Sequence, residues 1–149
     1  MSDCYVCSMN DRIGGLPARE QIIVDRGWRV AHAFDSALPG WLVLVPTRHV
    51  SGLHELTSDE AIVMGDLLVR LSKALREVVG CDKTYTMLVA EMHGFGHVHF
   101  HVVPRMSNFA PDEIGPQVFT FVGRPPGERL SDDDQDAISI RIGLALSAA

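Results

Sequence analysis

The sequence has no run of lysines and arginines, no long apolar stretch, no internal repeat and only three cysteines. Each of these absences excludes something. With no basic face to be found and a formal net charge of −6, nucleic acid is not an expected partner. A small anion stays open to it, because a local cluster of donors overrides a distant negative background. No window approaches the ~20 apolar residues of a membrane span, so no membrane association is expected. Met1-Ser2-Asp3-Cys4-Tyr5-Val6-Cys7 lacks a basic region followed by an apolar one, so no secretion signal is expected and a cytoplasmic location is. In a reducing compartment the closely spaced Cys4 and Cys7 read as metal or redox chemistry before disulfide. What is present is ordinary: 149 residues, 46% apolar and 21% charged. One globular unit of that size buries roughly 70% of its surface without covalent staples.

Local patterns give the order of elements. Gln21–Asp25 and Trp28–Phe34 read as strands around the turn residues Asp25-Arg26-Gly27. Trp41–Val45 is a short apolar run between Pro39-Gly40 and Pro46, as in a buried strand. Thr57 followed by Glu60 has capping-box spacing. The apolar residues Ile62, Leu67, Leu68, Leu71, Leu75 and Val78 then recur at helical intervals up to Gly80, which predicts a helix over 57–79. Tyr85–Met92 and His97–Val103 are predicted strands joined by Gly94-Phe95-Gly96. Residues 107–130, punctuated by prolines and glycines, are expected to be mostly loop. Ser131 followed by three aspartates starts a last predicted helix over 131–146. The sum is α+β: a mainly antiparallel sheet with one long helix packed on it, plus a C-terminal helix. Residues 1–106 are expected to form the main domain, and 107–149 a loop-rich extension of the same globular unit.

The segment His97-Val98-His99-Phe100-His101 carries the chemistry. In a strand, alternate side chains share a face, so the three imidazoles line up while Val98, Phe100 and Val102 point to the core. Three polar rings in register have no packing rationale, since they bury nitrogens and repel one another when charged. A solvated face rich in histidine and a metal site are the other readings. Imidazole is a good nucleophile near neutral pH and forms a phosphoramidate at phosphorus. A neighbouring imidazole can hydrogen-bond the phosphate, so the pattern suits phosphoryl or nucleotidyl transfer.

This segment, with Pro104-Arg105 after it and Pro39-Gly40-Trp41 through Pro46-Thr-Arg-His49 before it, resembles the histidine-triad (HIT) superfamily over about residues 4–105. The resemblance implies a hydrolase or transferase acting on nucleotide phosphates through a covalent nucleotidyl-histidine. His99 would be the nucleophile, His101 a catalytic and phosphate-side hydrogen-bond partner, and the protein a homodimer. Asp35 falls where many members carry an acid that binds ribose hydroxyls; by itself it also reads as a turn-starting Asp before Ser36. Two departures stand out. Trp41 occupies a position where many members have histidine. The loop before the triad has only Gly94 and Gly96 where many have a Gln-containing phosphate loop, leaving backbone N–H groups near those glycines as substrate contacts.

Cys4-x-x-Cys7 is half of a zinc site by spacing. His49, at the end of a strand beside the site, and His97, at the start of the triad segment, would complete four ligands. The same set is implied by the resemblance to zinc-holding HIT proteins and galactose-phosphate uridylyltransferases. A structural zinc on Cys4, Cys7, His49 and His97 is therefore expected. A redox role for the cysteines is disfavoured because no helix is predicted after them. His32 and His54 are expected at the surface or satisfied in the core, His93 near enough to the triad loop to meet substrate, and Cys81 in a turn. Trp41 reads as core, or as a ring narrowing the pocket. The function expected is thus a nucleotide hydrolase or nucleotidyl transferase, with a zinc-stabilised nucleotide-binding interaction protein as the alternative.

Overall fold

Five strands pair antiparallel throughout in the computed structural model, which describes residues 3–148. They are β1 (Ile23–Asp25), β2 (Trp28–His32), β3 (Leu42–Pro46), β4 (Lys83–Leu88) and β5 (Phe100–Arg105), in the spatial order β1-β2-β3-β5-β4. Arg26 and Gly27, both at positive φ (46° and 86°), make the tight turn between β1 and β2. The chain leaves β3, crosses the sheet in a long helix α2 (Ser58–Val79), and returns to the far edge as β4. The α2 start is set locally. Thr57 Oγ1 accepts from Glu60 N–H, and the Glu60 carboxylate accepts from Thr57 N–H. Gly80 ends the helix in a left-handed conformation at φ 71°.

Alternation in the strands sends Trp28, Val30, Leu42, Leu44, Phe100 and Val102 to one face. There they meet Leu67, Leu71 and Leu75 of α2 and Ile138, Ile142 and Leu146 of a C-terminal helix α3 (Asp132–Ser147). Ser131 caps α3 by accepting from Asp134 N–H. The fold is therefore the expected α+β arrangement, with both helices on one side. No helix of the described residues is long and apolar enough to cross a membrane.

Several strand boundaries differ from expectation, the second strand ending at His32 rather than Phe34, and four of the differences have a local reason. The first strand begins at Ile23 because the Gln21 side chain instead bridges Leu16 O and Gly14 N–H. The strand predicted to reach Met92 ends at Leu88, just before Ala90 turns the chain at φ 53°. The triad strand starts only at Phe100, since β3 pairs from Leu44↔Phe100 to Leu42↔Val102, while Val98 N–H bonds Val50 O. Pro104 lies past the last β3 pair, so its missing N–H costs β3 nothing and β5 runs on to Arg105. The expected loop 107–130 contains two short 3-10 segments, Pro111–Glu113 and Gly115–Phe121. A six-residue helix α1 (Tyr5–Asn10) begins directly after Cys4, where none was predicted.

Candidate active site and metal-binding group

The α1 helix holds the two cysteines one turn apart, with Cys4 Sγ accepting from Cys7 N–H. It is tied down at both ends: Tyr5 N–H donates to Gly94 O, and Asn10 Nδ2 donates to the carbonyls of Pro46 and Thr47. That docking brings Cys4 and Cys7 to His49, just past β3, and to His97, just before β5. The four ligand atoms all lie within 4.8 Å of one another. His97 Nδ1 stands 3.6 Å from Cys4 Sγ, 3.5 Å from Cys7 Sγ and 3.2 Å from His49 Nδ1. Bond lengths of ~2.0–2.3 Å in a tetrahedral shell put ligand atoms about 3.3–3.8 Å apart, close to this spacing. His97 Nε2–H donates to Pro46 O at 2.9 Å, which leaves Nδ1 as the nitrogen for an ion. Burial and the adjacent Cys4 thiol push the Cys7 thiol up to about 11, so near neutral pH it becomes a thiolate ligand only when a cation takes the place of its proton. The set can hold a metal ion.

The other two triad histidines face away from this group into a cavity of about 540 Å³ on the sheet face opposite the helices. Its floor is Ala31, Val43 and Val45; His101 pairs across the sheet with Val43 on one side and Met87 on the other. Tyr5, Phe34 and Phe95 form an aromatic wall with ring centroids 5.2–6.3 Å apart. Beneath lies a buried ion pair. Arg29, only 2% exposed, donates to Glu20 O and Asn10 Oδ1 and stands 3.5 Å from Glu20 Oε2. Burial pushes the Glu20 carboxyl up against the pull of Arg29, and Tyr5, donating to Glu20, is pushed up to about 12 by burial and that carboxylate.

Hydrogen bonds define the ring nitrogens. His99 Nδ1–H donates to His97 O at 2.9 Å, so its Nε2 is a bare lone pair with no partner among the described residues. His101 Nδ1 accepts from Trp41 Nε1–H at 3.0 Å. The His99 and His101 rings stand edge to face, centroids 5.0 Å apart. Burial, and then His99, hold His101 down to about 4. His32 is satisfied in the core: Nδ1–H donates to Ala33 O, Nε2 accepts from Gly40 N–H, and burial lowers it to about 4.

The other residues singled out in the sequence fall as follows. Asp35 lines the cavity, and one of its oxygens accepts from Gly123 N–H at 2.9 Å. Gly94 and Gly96 do not line it; Phe95 between them does. His54 and His93 are exposed, and Cys81 is part of the helix-side core. Trp41 is fully buried and bonded to His101. Sequence reasoning missed Arg29, Glu20 and the aromatic wall, and missed that the extension supplies Phe119, Val122 and Gly123 to the cavity. The cluster Phe109, Phe119 and Phe121 in a Pro/Gly-rich stretch was the available signal, since a free loop has no need of three phenyl rings.

A family model described as HIT domain matches residues 18–108. Among solved structures, a Zn-bound histidine triad family protein from Mycobacterium smegmatis is 21% identical. It covers 97% of this chain and 94% of its own, with a TM-score of 0.70. A hypothetical histidine triad nucleotide-binding protein from Sulfolobus tokodaii is 17% identical, with coverage of 97% and 93% and a TM-score of 0.69. A uridylyltransferase is 21% identical with a TM-score of 0.68; the match covers 98% of this chain but 46% of that one. No curated protein matches the sequence.

Proposed function

The chain belongs to the HIT domain family, and from that premise we propose that it cleaves nucleotide phosphate bonds through a covalent nucleotidyl-histidine on His99. The observation that carries this is the bare Nε2 of His99 in the cavity, its Nδ1–H tied to the His97 carbonyl. His99 Nε2 attacks the phosphorus attached to a nucleoside. The N–P bond forms, the bond to the leaving group breaks, and the leaving group departs with its electron pair and takes a proton from solvent. The ring becomes a phosphoryl-imidazolium whose Nδ1–H still donates to His97 O, which stabilises the new charge. Water then attacks phosphorus, the N–P bond breaks with its electron pair returning to His99 Nε2, a proton of the water passes to solvent, and the nucleotide leaves; another acceptor in place of water makes the protein a transferase.

His101 donates to a phosphoryl oxygen and the free oxygen of Asp35 accepts from ribose hydroxyls, whereas Gly94 and Gly96, which lie outside the cavity lining, offer no phosphate contact. Tyr5, Phe34 and Phe95 offer the base a stacking wall. Cys4, Cys7, His49 and His97 hold a structural zinc, a reading supported by the Zn-bound relative and the donor set. The zinc fixes α1 and the start of the triad segment and supplies no step of the reaction. The working protein is a homodimer.

Intact-protein mass spectrometry after brief mixing with an adenosine phosphoramidate, a dinucleoside polyphosphate or a nucleotide sugar tests the reading. The native chain should show a transient nucleotidyl adduct or released nucleotide with at least one of them. His99→Ala should show neither, with turnover down at least about a thousandfold. Nucleotide binding without adduct or product from any of the three would replace this reading with a nucleotide-binding interaction protein.

A further inference from the structure

Two histidines share the cavity, but different neighbours fix their protons. A backbone carbonyl, which only accepts, holds the Nδ1–H of His99. An indole N–H, which only donates, meets Nδ1 of His101. We propose that Trp41 is a positioning residue whose indole N–H locks His101 as the neutral Nε2–H tautomer, so that a fixed donor stands beside the bare Nε2 of His99. The proposal rests on the nucleotidyl-transfer reading for its consequence in turnover, though not for its structure.

Three further observations support the lock. Trp41 is 0% exposed, so its N–H has no water to turn to. Phe119 of the extension meets both rings edge-on, its centroid 5.5 Å from Trp41 and 5.2 Å from His101, which fixes the pair from the cavity side. The turn before Trp41 is also held, because Gly40 N–H is bonded to the buried His32 and Trp41 N–H to Leu38 O. Gly40 itself sits at φ 89°, and a Cβ there would come within 3.1 Å of Leu75. The position of the indole is thus set by contacts unrelated to His101.

The lock has a chemical consequence. His101 can take a second proton only at Nδ1, where the indole offers no acceptor, so the ring acts as a hydrogen-bond donor and not as an imidazolium acid. Nε2 has no partner among the described residues and faces the cavity, where a phosphoryl oxygen on its way to greater negative charge would accept from it.

The test reads the tautomer directly. In long-range proton–nitrogen correlation spectra of histidine-labelled native protein at pH 7, assigned with His101→Gln, His101 should carry its proton on Nε2 alone. In Trp41→Phe, which keeps a ring but loses the donor, both neutral tautomers or the imidazolium should appear. Its kcat should fall about threefold with KM nearly unchanged, because the competent tautomer is then only part of the population. A native spectrum with the proton on Nδ1, or an imidazolium at pH 7, overturns the proposal even if Trp41→Phe does not fold. So does a folded Trp41→Phe with unchanged tautomer and kcat. Because the native spectrum needs no substrate, an absence of turnover counts against the enzymatic reading alone.

Discussion

His97 and His99 are two residues apart, yet their surroundings differ in kind. At His97 one nitrogen donates to Pro46 O and the other stands among two sulfurs and a second imidazole. At His99 one nitrogen donates to a carbonyl and the other faces an open cavity. The first arrangement suits an ion held for the life of the fold. The second suits a reagent that arrives and leaves. Strand alternation alone would give the three histidines one common environment. The difference arises because β3 pairing starts only at Phe100, leaving His97 free to turn toward α1 and His49. One motif is thus divided between a group that could hold a metal and an open cavity by where a ladder begins.

Separating the two halves gives the largest expected effects. His99→Ala, the variant expected to lose turnover, should keep its full complement of about one zinc per chain. Cys4→Ser should lose the zinc and destabilise the fold by about 3 kcal/mol or more, the linkage for a metal at a hundredfold over its dissociation constant. Metal analysis and urea unfolding of both variants check this. Metal-free native protein of full stability would remove zinc from the account, and loss of metal in His99→Ala would erase the contrast between the two histidines.

His32 sharpens the contrast, as a histidine whose two nitrogens are both satisfied inside the protein. Burial lowers its pKa from 6.5 to about 4, so between those values the unfolded chain binds a proton that the folded chain refuses. Stability from this group is complete above about pH 6.5 and is lost as pH falls toward 4. At about 1.4 kcal/mol per unit the loss reaches roughly 2 kcal/mol by pH 5. Protonation of metal ligands adds its own acid sensitivity, so the quantity to measure is the difference from His32→Gln. The native chain should lose about that much more between pH 7 and 5. Equal losses in the two chains would mean that His32 is not held neutral.

These contrasts were unequally visible in the sequence. The long helix was legible because Thr57, Glu60 and Gly80 act within a few residues of themselves. The group that could hold a metal and the two cavity-facing histidines were legible through spacing: Cys4-x-x-Cys7 and alternate histidines are short-range patterns. The α1 helix was not, since six residues behind a cysteine cap carry no helical periodicity to read. Trp41 could be placed in the core but not against His101, sixty positions away. That contact depends on the β3–β5 register and on a turn held by His32. Nor did the extension announce its part, because Phe119, Val122 and Gly123 reach the cavity from a stretch whose prolines and glycines say only where the chain bends.

The smallest expected effect concerns Asp35, where the extension meets the cavity. Gly123 N–H donates to one carboxylate oxygen, and Arg124 N–H donates to the Asp35 carbonyl. Ala37 N–H bonds Phe121 O, and Leu130 N–H bonds Ser36 O, so the whole turn is strapped to residues 121–130. The carboxylate is therefore oriented by backbone from outside the family match, which ends at residue 108. Asp35→Asn keeps an oxygen for Gly123 and replaces an acceptor facing the ribose with an amide, so folding should be little changed. For a ribonucleotide substrate KM should rise about five- to tenfold with kcat nearly constant, the signature of lost uniform binding. For the matching deoxynucleotide the native enzyme should already show the higher KM, and the substitution should add little. A similar KM increase for both sugars would mean that Asp35 only starts the turn, and that the extension shapes the cavity through Phe119 and Val122 alone.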